Sequence, residues 1–169
     1  LSFARRLPWM DRAMKAGTWE KIPGMALGEA TIGVIGVGAV GSAVLERARA
    51  FGARTLGNDI RKIDAGRVGA LGVEITSLEA LLERSDYVSV NCDLNPTSQH
   101  LMGTPQFARM RRTAVIINTA RGPVIDESAL VEALAGGEIA GAGLDVFEDE
   151  PLPASSPLRN MDNVMLAPH

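Results

Sequence analysis

Apolar positions in this chain fall into short, β-branched runs separated by longer stretches in which they recur every three or four residues. TIGVIG (31–36) is a compact apolar run followed by turn residues, the pattern of a strand covered on both faces. VGSAVLERARAFG (40–52) has helical spacing and closes on Gly52, and ARTLGND (53–59) predicts a second strand. SLEALLERS (77–85) predicts a helix with Ser77 as its N-cap. The rhythm then repeats. YVSVN (87–91) and TAVIIN (113–118) read as strands, and TPQFARM (104–110) as a short helix with Pro105 at its first position. DESALVEALAGG (126–137) predicts a helix capped by Asp126, and IAGAGLDVF (139–147) and NVMLA (163–167) predict the last strands. Residues 1–16 approach helical spacing, but Pro8 is expected to kink or interrupt any helix there. Residues 17–30, rich in glycine and containing Pro23, predict a loop.

Strands alternating with helices at this spacing imply right-handed crossovers and a parallel sheet with helices on both faces, an α/β doubly wound architecture. At 169 residues the chain is one domain's worth of sequence, divided here into an arm and loop (1–28) and a core (29–169). Aromatic residues are only 4% of the chain, so the core is expected to be aliphatic and rich in glycine and alanine. A net charge of −3 gives no reason to expect nucleic acid or an anionic membrane as partner. Cys92 is the only cysteine, so no internal disulfide can form and a reducing compartment is expected. No apolar run approaches the roughly 18 residues that span a bilayer, and residues 1–12 lack the apolar segment of a signal peptide. These readings predict a cytoplasmic protein without a metal centre.

Within TIGVIGVGAVGSAVLE lies Gly36-Val37-Gly38-Ala39-Val40-Gly41, a G-x-G-x-x-G between a predicted strand and a predicted helix. In that context Gly36 permits the tight turn, Gly38 lets backbone approach a pyrophosphate, and Gly41 lets helix pack closely on strand. The helix N-terminus offers unpaired N–H groups and about half a positive charge to the phosphates. Asp59 follows Gly41 by 18 residues, at the end of the second predicted strand. A carboxylate there accepts hydrogen bonds from ribose hydroxyls and repels a 2′-phosphate, so it favours NAD over NADP, a preference softened by Arg61 and Lys62. This is the Rossmann arrangement. A methyltransferase can carry a similar turn and acid, so the motif names a nucleotide rather than a reaction.

VIINTARGPVIDESALVEAL, GAGLDVFEDEPLP and DNVMLAPH, in that order, resemble the nucleotide-binding domain of the D-isomer-specific 2-hydroxyacid dehydrogenases. That family includes D-3-phosphoglycerate, D-lactate and glyoxylate/hydroxypyruvate enzymes, and the likeness covers nearly the whole chain. The resemblance implies NAD as cofactor and a small D-2-hydroxy acid or 2-oxo acid as substrate. It assigns Arg121 of N-x-x-R-G to the substrate's carboxylate and 2-oxygen, a task suited to the forked guanidinium. His169, the last residue, corresponds to the acid–base group, and unperturbed histidine titrates near pH 6.5. Glu150, directly before Pro151, corresponds to the carboxylate partner of that histidine, although Glu148-Asp149-Glu150 alone reads as a solvated acidic loop. By the same resemblance Ala39 and Val40 lie at the pyrophosphate, Thr119, Ala120 and Arg121 beside the nicotinamide ribose, and Asp145 near the carboxamide. Asp145 has the alternative of simply terminating a strand. Asp93 and Asn95 depart from the family's usual proline and threonine, and His100 in the same segment reads as structural.

Family members carry a separate substrate domain, built from sequence on both sides of this region, that closes the active site. The expectation is therefore a chain that binds NAD but turns over poorly or not at all alone. The lead-in with Trp9 and Trp19 resembles the family's dimer-forming arm, which implies a homodimer. Some relatives are NAD-responsive corepressors, and that non-enzymatic role stands as the alternative. A short-chain dehydrogenase is disfavoured, because the only tyrosine, Tyr87, is followed four residues later by Asn91 rather than lysine.

Overall fold

The computed structural model describes residues 1–169. Seven strands form one sheet, β1 (Thr31–Ile35), β2 (Arg54–Asn58), β3 (Glu74–Ile75), β4 (Tyr87–Val90), β5 (Val115–Asn118), β6 (Gly141–Leu144) and β7 (Val164–Leu166). Their order is β3-β2-β1-β4-β5-β6-β7 and every neighbouring pair is parallel. The order turns back at β1, with β2 on one flank and β4 on the other, where parallel sheets open a crevice for ligands.

Alternation along β1 explains the layering. Val34 and Ile35 are both buried but belong to different apolar clusters, because successive strand residues point to opposite faces. Val34 joins Leu45 and Ala48 of α2 (Ala39–Ala50) and Leu71 of α3 (Ala65–Leu71). Ile35 joins Leu81 and Leu82 of α4 (Leu78–Arg84), with Phe107 of α5 (Thr104–Phe107) and Leu130 of α6 (Glu127–Ala135) in the same larger cluster. Ser77 caps α4 by accepting from Ala80 N–H, and Asp126 caps α6 by accepting from Ala129 N–H, as the sequence predicts.

Three differences from the sequence reading have physical reasons. Pro8 does not interrupt a helix: it sits in the first turn of α1 (Leu7–Lys15), where its missing N–H costs nothing. The pair α3 and β3 was not foreseen, because AGRVGAL carries two glycines and β3 is only two exposed residues at the sheet edge. The strand expected over 139–147 is confined to Gly141–Leu144, since β7 pairs no further than Leu144 and the chain then leaves the sheet.

The arm is tied down locally. Phe3 is buried, its ring lies 5.3 Å from that of Trp9, and Trp9 donates its indole N–H to the Asp162 carbonyl at 2.9 Å. α1 itself buries no residue, and Trp19 is 82% exposed. No helix is long and apolar enough to cross a membrane.

Candidate functional site

Parallel register brings the carboxyl ends of six strands to one level. Asn58, Ile35, Val90, Asn118, Leu144 and Leu166 form a continuous row of paired positions from β2 to β7. One residue beyond that row stand Asp59, Gly36, Asn91, Thr119, Asp145 and Ala167. Nearly every residue singled out from the sequence is therefore on the same edge, and His169 lies three residues past the end of β7.

The β1–α2 turn is backbone fitted against backbone. Gly36 has φ +87, and a methyl group placed on it meets Cys92 N at 2.7 Å. A methyl on Gly41 falls 1.9 Å from the Gly36 carbonyl oxygen, so both positions are closed to any side chain. Gly38 differs, because the nearest atom to its added methyl is the Arg61 guanidinium at 3.9 Å. The side of the turn at Gly38 is thus the one with room for a ligand. Gly38 is also the N-cap of α2 and supplies no side-chain acceptor, leaving the first N–H groups of the helix available. These features suit a pyrophosphate.

Asp59 has a side chain only 5% exposed. Its Oδ2 accepts from Val37 N–H at 2.9 Å and its Oδ1 from Arg61 N–H at 2.9 Å. Burial pushes this carboxyl up, but the Arg61 and Val37 N–H groups and the Arg61 guanidinium outweigh it, so it titrates below its ordinary value. The acid expected at a ribose thus also locks β2 to the glycine turn; Oδ1 takes Arg61 Nε at 3.4 Å as well, and a second acceptor direction remains on Oδ2. Arg67, not anticipated from the sequence, reaches back from α3 to the Gly38 carbonyl at 3.0 Å and Ser42 Oγ at 2.6 Å. Its only sequence signal was a cation in a segment of no evident structure.

Residues of the turns after β1, β2 and β4 line a cleft of about 770 Å³, among them Gly36, Gly38, Asp59, Arg61 and Cys92. Asp93 and Asn95, the departures noted above, form part of its wall. Thr119, Ala120, Arg121, Asp145, Glu150 and His169 lie outside this cleft, farther along the same edge.

Beyond β5, buried Asn118 shapes the turn that carries Arg121. Its Oδ1 accepts from Ala120 N–H at 3.0 Å and its Nδ2 donates to the Arg121 carbonyl at 2.9 Å. The Arg121 side chain is left exposed, bonded only to the Ala120 carbonyl at 2.6 Å. Gly122 then presses on the next loop, with an added methyl 1.8 Å from the Phe147 carbonyl oxygen. In N-x-x-R-G the arginine is legible from its chemistry, whereas the asparagine that makes the turn shows its role only through its bonds to Ala120 and Arg121.

Glu150 and His169 meet although 19 residues separate them, with Nδ1 2.7 Å from Glu150 Oε2. The other carboxylate oxygen accepts from Phe147 N–H at 3.0 Å. His169, the Phe147 N–H and the more distant Arg121 charge hold the Glu150 carboxyl below its ordinary range. A carboxylate only accepts, so the proton of neutral His169 resides on Nδ1 and Nε2 carries the free lone pair. Asp145 follows β6, its N–H donating to the Asn118 carbonyl at 3.0 Å.

A doubly wound parallel sheet with a glycine turn at its switch point defines a dinucleotide-binding domain. Residues 1–169 match the family described as D-isomer specific 2-hydroxyacid dehydrogenase, NAD binding domain. A glyoxylate reductase of Korarchaeum cryptofilum is 47% identical over 176 residues, which take in 100% of this chain and 52% of that protein. A D-3-phosphoglycerate dehydrogenase of Methanocaldococcus jannaschii is 41% identical over 172 residues, 100% of this chain and 32% of that protein. A solved D-isomer specific 2-hydroxyacid dehydrogenase from Xanthobacter autotrophicus Py2, in complex with NADPH and MES, superposes with a TM-score of 0.90 at 38% identity over 99% of this chain and 53% of that one. The chain belongs to the D-isomer specific 2-hydroxyacid dehydrogenases and is an NAD-binding domain of that family. It spans about half the length of the curated glyoxylate reductase it matches.

Proposed function

We propose that this domain is the nucleotide-binding part of an NAD-dependent oxidoreductase that interconverts a small D-2-hydroxy acid and its 2-oxo acid, with Arg121, Glu150 and His169 as catalytic residues. The observation that carries this reading is the His169–Glu150 pair at 2.7 Å, which leaves Nε2 of the imidazole uncommitted. Bound at this edge, NAD supplies the hydride acceptor in oxidation and, when reduced, the hydride donor. His169 Nε2 takes the proton from the 2-hydroxyl oxygen in oxidation and returns it to the 2-oxo oxygen in reduction. Glu150 fixes the ring through Nδ1 and stabilises imidazolium while the proton is held. Arg121 grips the substrate carboxylate and 2-oxygen with its forked donors.

In this proposal Gly36, Gly38, Ala39, Val40 and Gly41 cradle the pyrophosphate, and Asp59 faces the adenosine ribose. Thr119, Ala120 and Arg121 border the nicotinamide ribose, with Asp145 near the carboxamide. The substrate is a short 2-oxo acid such as glyoxylate or a short 2-hydroxy acid such as D-3-phosphoglycerate, the classes in the names of the two relatives above. The protein works as a cytoplasmic homodimer joined through residues 1–28. Leu7 and Met14, each 51% exposed, and Trp19 supply apolar surface for that contact. Sedimentation of wild type against Trp19→Ser tests the dimer.

Reduction of a panel of 2-oxo acids by the full-length protein, followed through loss of NADH absorbance, tests the reaction. Turnover on at least one acid, abolished in His169→Gln with NADH binding intact, is the expected result. NADH binding without turnover on any acid overturns the proposal and favours a corepressor-like role, which needs cofactor binding but no proton transfer.

A further inference from the structure

We propose that His100 is a positioning residue for this same reaction, a clasp that holds the Glu150 loop against the Arg121 loop; the inference rests on the dehydrogenase reading above. His100 has φ +49, one of only two residues other than glycine with positive φ. A residue with a Cβ keeps that conformation where its surroundings over-determine it. Here they do so from two sides.

On the first side, backbone pairing stitches the His100 segment to the chain just after Arg121. His100 N–H donates to the Pro123 carbonyl at 2.8 Å and Met102 N–H to the Val124 carbonyl at 3.1 Å. Asp126 N–H returns a bond to the Met102 carbonyl at 3.0 Å, completing a parallel bridge between Met102 and Ile125. On the second side, the His100 ring reaches across, and its Nε2 lies 2.5 Å from Glu148 Oε1. Glu148 N–H points to Glu127 Oε2 at 3.4 Å, and the preceding N–H, that of Phe147, is the one that holds Glu150 Oε1. Loop meets loop directly where Gly122 abuts the Phe147 carbonyl.

His100 therefore reads out the spacing between the two chain segments that carry Arg121 and Glu150. Charge explains why a histidine suits the position. Glu127, Glu148 and Asp149 crowd together, and burial with the fields of Glu148 and Asp149 pushes the Glu127 carboxyl up. A ring nitrogen donating to Glu148 relieves that crowding without adding bulk. His100 and Glu148 retain 48% and 31% side-chain exposure, so the contact owes its geometry to the pinned backbone rather than to exclusion of water.

Full-length enzyme carrying His100→Ala or His100→Gln tests the clasp by two readouts. The first is amide exchange at Phe147 and Glu148, with Ile116 and Ile117 of β5 as internal reference. The second is kcat against KM for NADH. His100→Ala is expected to speed exchange at Phe147 and Glu148 about tenfold while Ile116 and Ile117 hold. Its kcat is expected to fall about 10- to 100-fold with KM for NADH unchanged. His100→Gln, which keeps a donor toward Glu148, should restore both. Unchanged exchange in His100→Ala, or equal losses in the Ala and Gln variants, overturns the clasp. Should His100→Ala fail to fold, Glu148→Ala removes the same contact from the other side and is held to the same outcomes. The exchange readout needs no substrate, so a clasp that fails is distinguishable from a dehydrogenase reading that fails.

Discussion

At the β1–α2 turn the groups on offer are backbone N–H groups of a segment made of glycine, alanine and valine. Past β5, β6 and β7 the groups at the same edge are the side chains of Arg121, Glu150 and His169, carried on exposed loop residues. Recognition of a phosphate needs only N–H groups and a helix dipole in a fixed place, which close backbone packing supplies. Proton transfer needs a group with a tunable pKa and a defined free lone pair, which only a side chain held by another side chain supplies. The first region is rigid because Gly36 and Gly41 leave no room. The second is fixed by hydrogen bonds, those of Asn118 to Ala120 and Arg121 and those of Glu150 to Phe147 and His169.

Perturbing each region separately sharpens this contrast. The largest effect is expected in His169→Gln, which in the full-length enzyme should lower kcat by about 10²–10⁴-fold while NADH affinity, measured by fluorescence titration, stays within about twofold. Next comes Gly41→Ala, whose methyl falls 1.9 Å from a carbonyl oxygen and should destabilise the fold by roughly 3 kcal/mol, read by thermal melting. Gly38→Ala is its counterpart. With nothing nearer than 3.9 Å it should leave the melting temperature unchanged but weaken NAD binding, because the methyl occupies the approach side. Asp59→Asn should shift the kcat/KM ratio toward NADPH by about tenfold, as the charge repelling a 2′-phosphate is removed.

The smallest effect concerns acid. Glu150 is depressed in the folded protein, so its contribution to stability is complete above its ordinary value of 4.5 and is lost as pH falls through the lower folded value. Melting of wild type and Glu150→Gln should therefore differ at neutral pH and converge in acid. A difference that grows on acidification would contradict the pairing.

Local chemistry made the first region legible in the chain itself. Gly36, Gly38 and Gly41 stand between a β-branched run and a helical pattern, and each has a conformational or packing reason to be glycine. The caps Ser77 and Asp126 were equally plain. By contrast, Glu150 could be told from Glu148 and Asp149 only through the resemblance, because three adjacent acids differ in nothing local; their partners lie 19 residues away and on another loop. His100 was read as structural and is so in part, but its link to Glu148 spans 48 positions and leaves no periodic trace. The helix α3 escaped notice because its support comes from the Asp64 cap and from packing of Leu71 rather than from its own propensity.

The shared level of the strand ends means that the length of each strand sets the height of the groups that follow it. Strand rise is about 3.3 Å per residue with side chains alternating between faces. Deleting one residue within β5 would draw Thr119–Arg121 back by that distance and reverse the facing of whatever follows, while Gly36, Asp59 and the approach to His169 kept their heights on β1, β2 and β7. A deletion in β5 thus acts like a mis-set tooth on a key: Thr119, Ala120 and Arg121 shift together, and so do the segments that Gly122 and Pro123 touch.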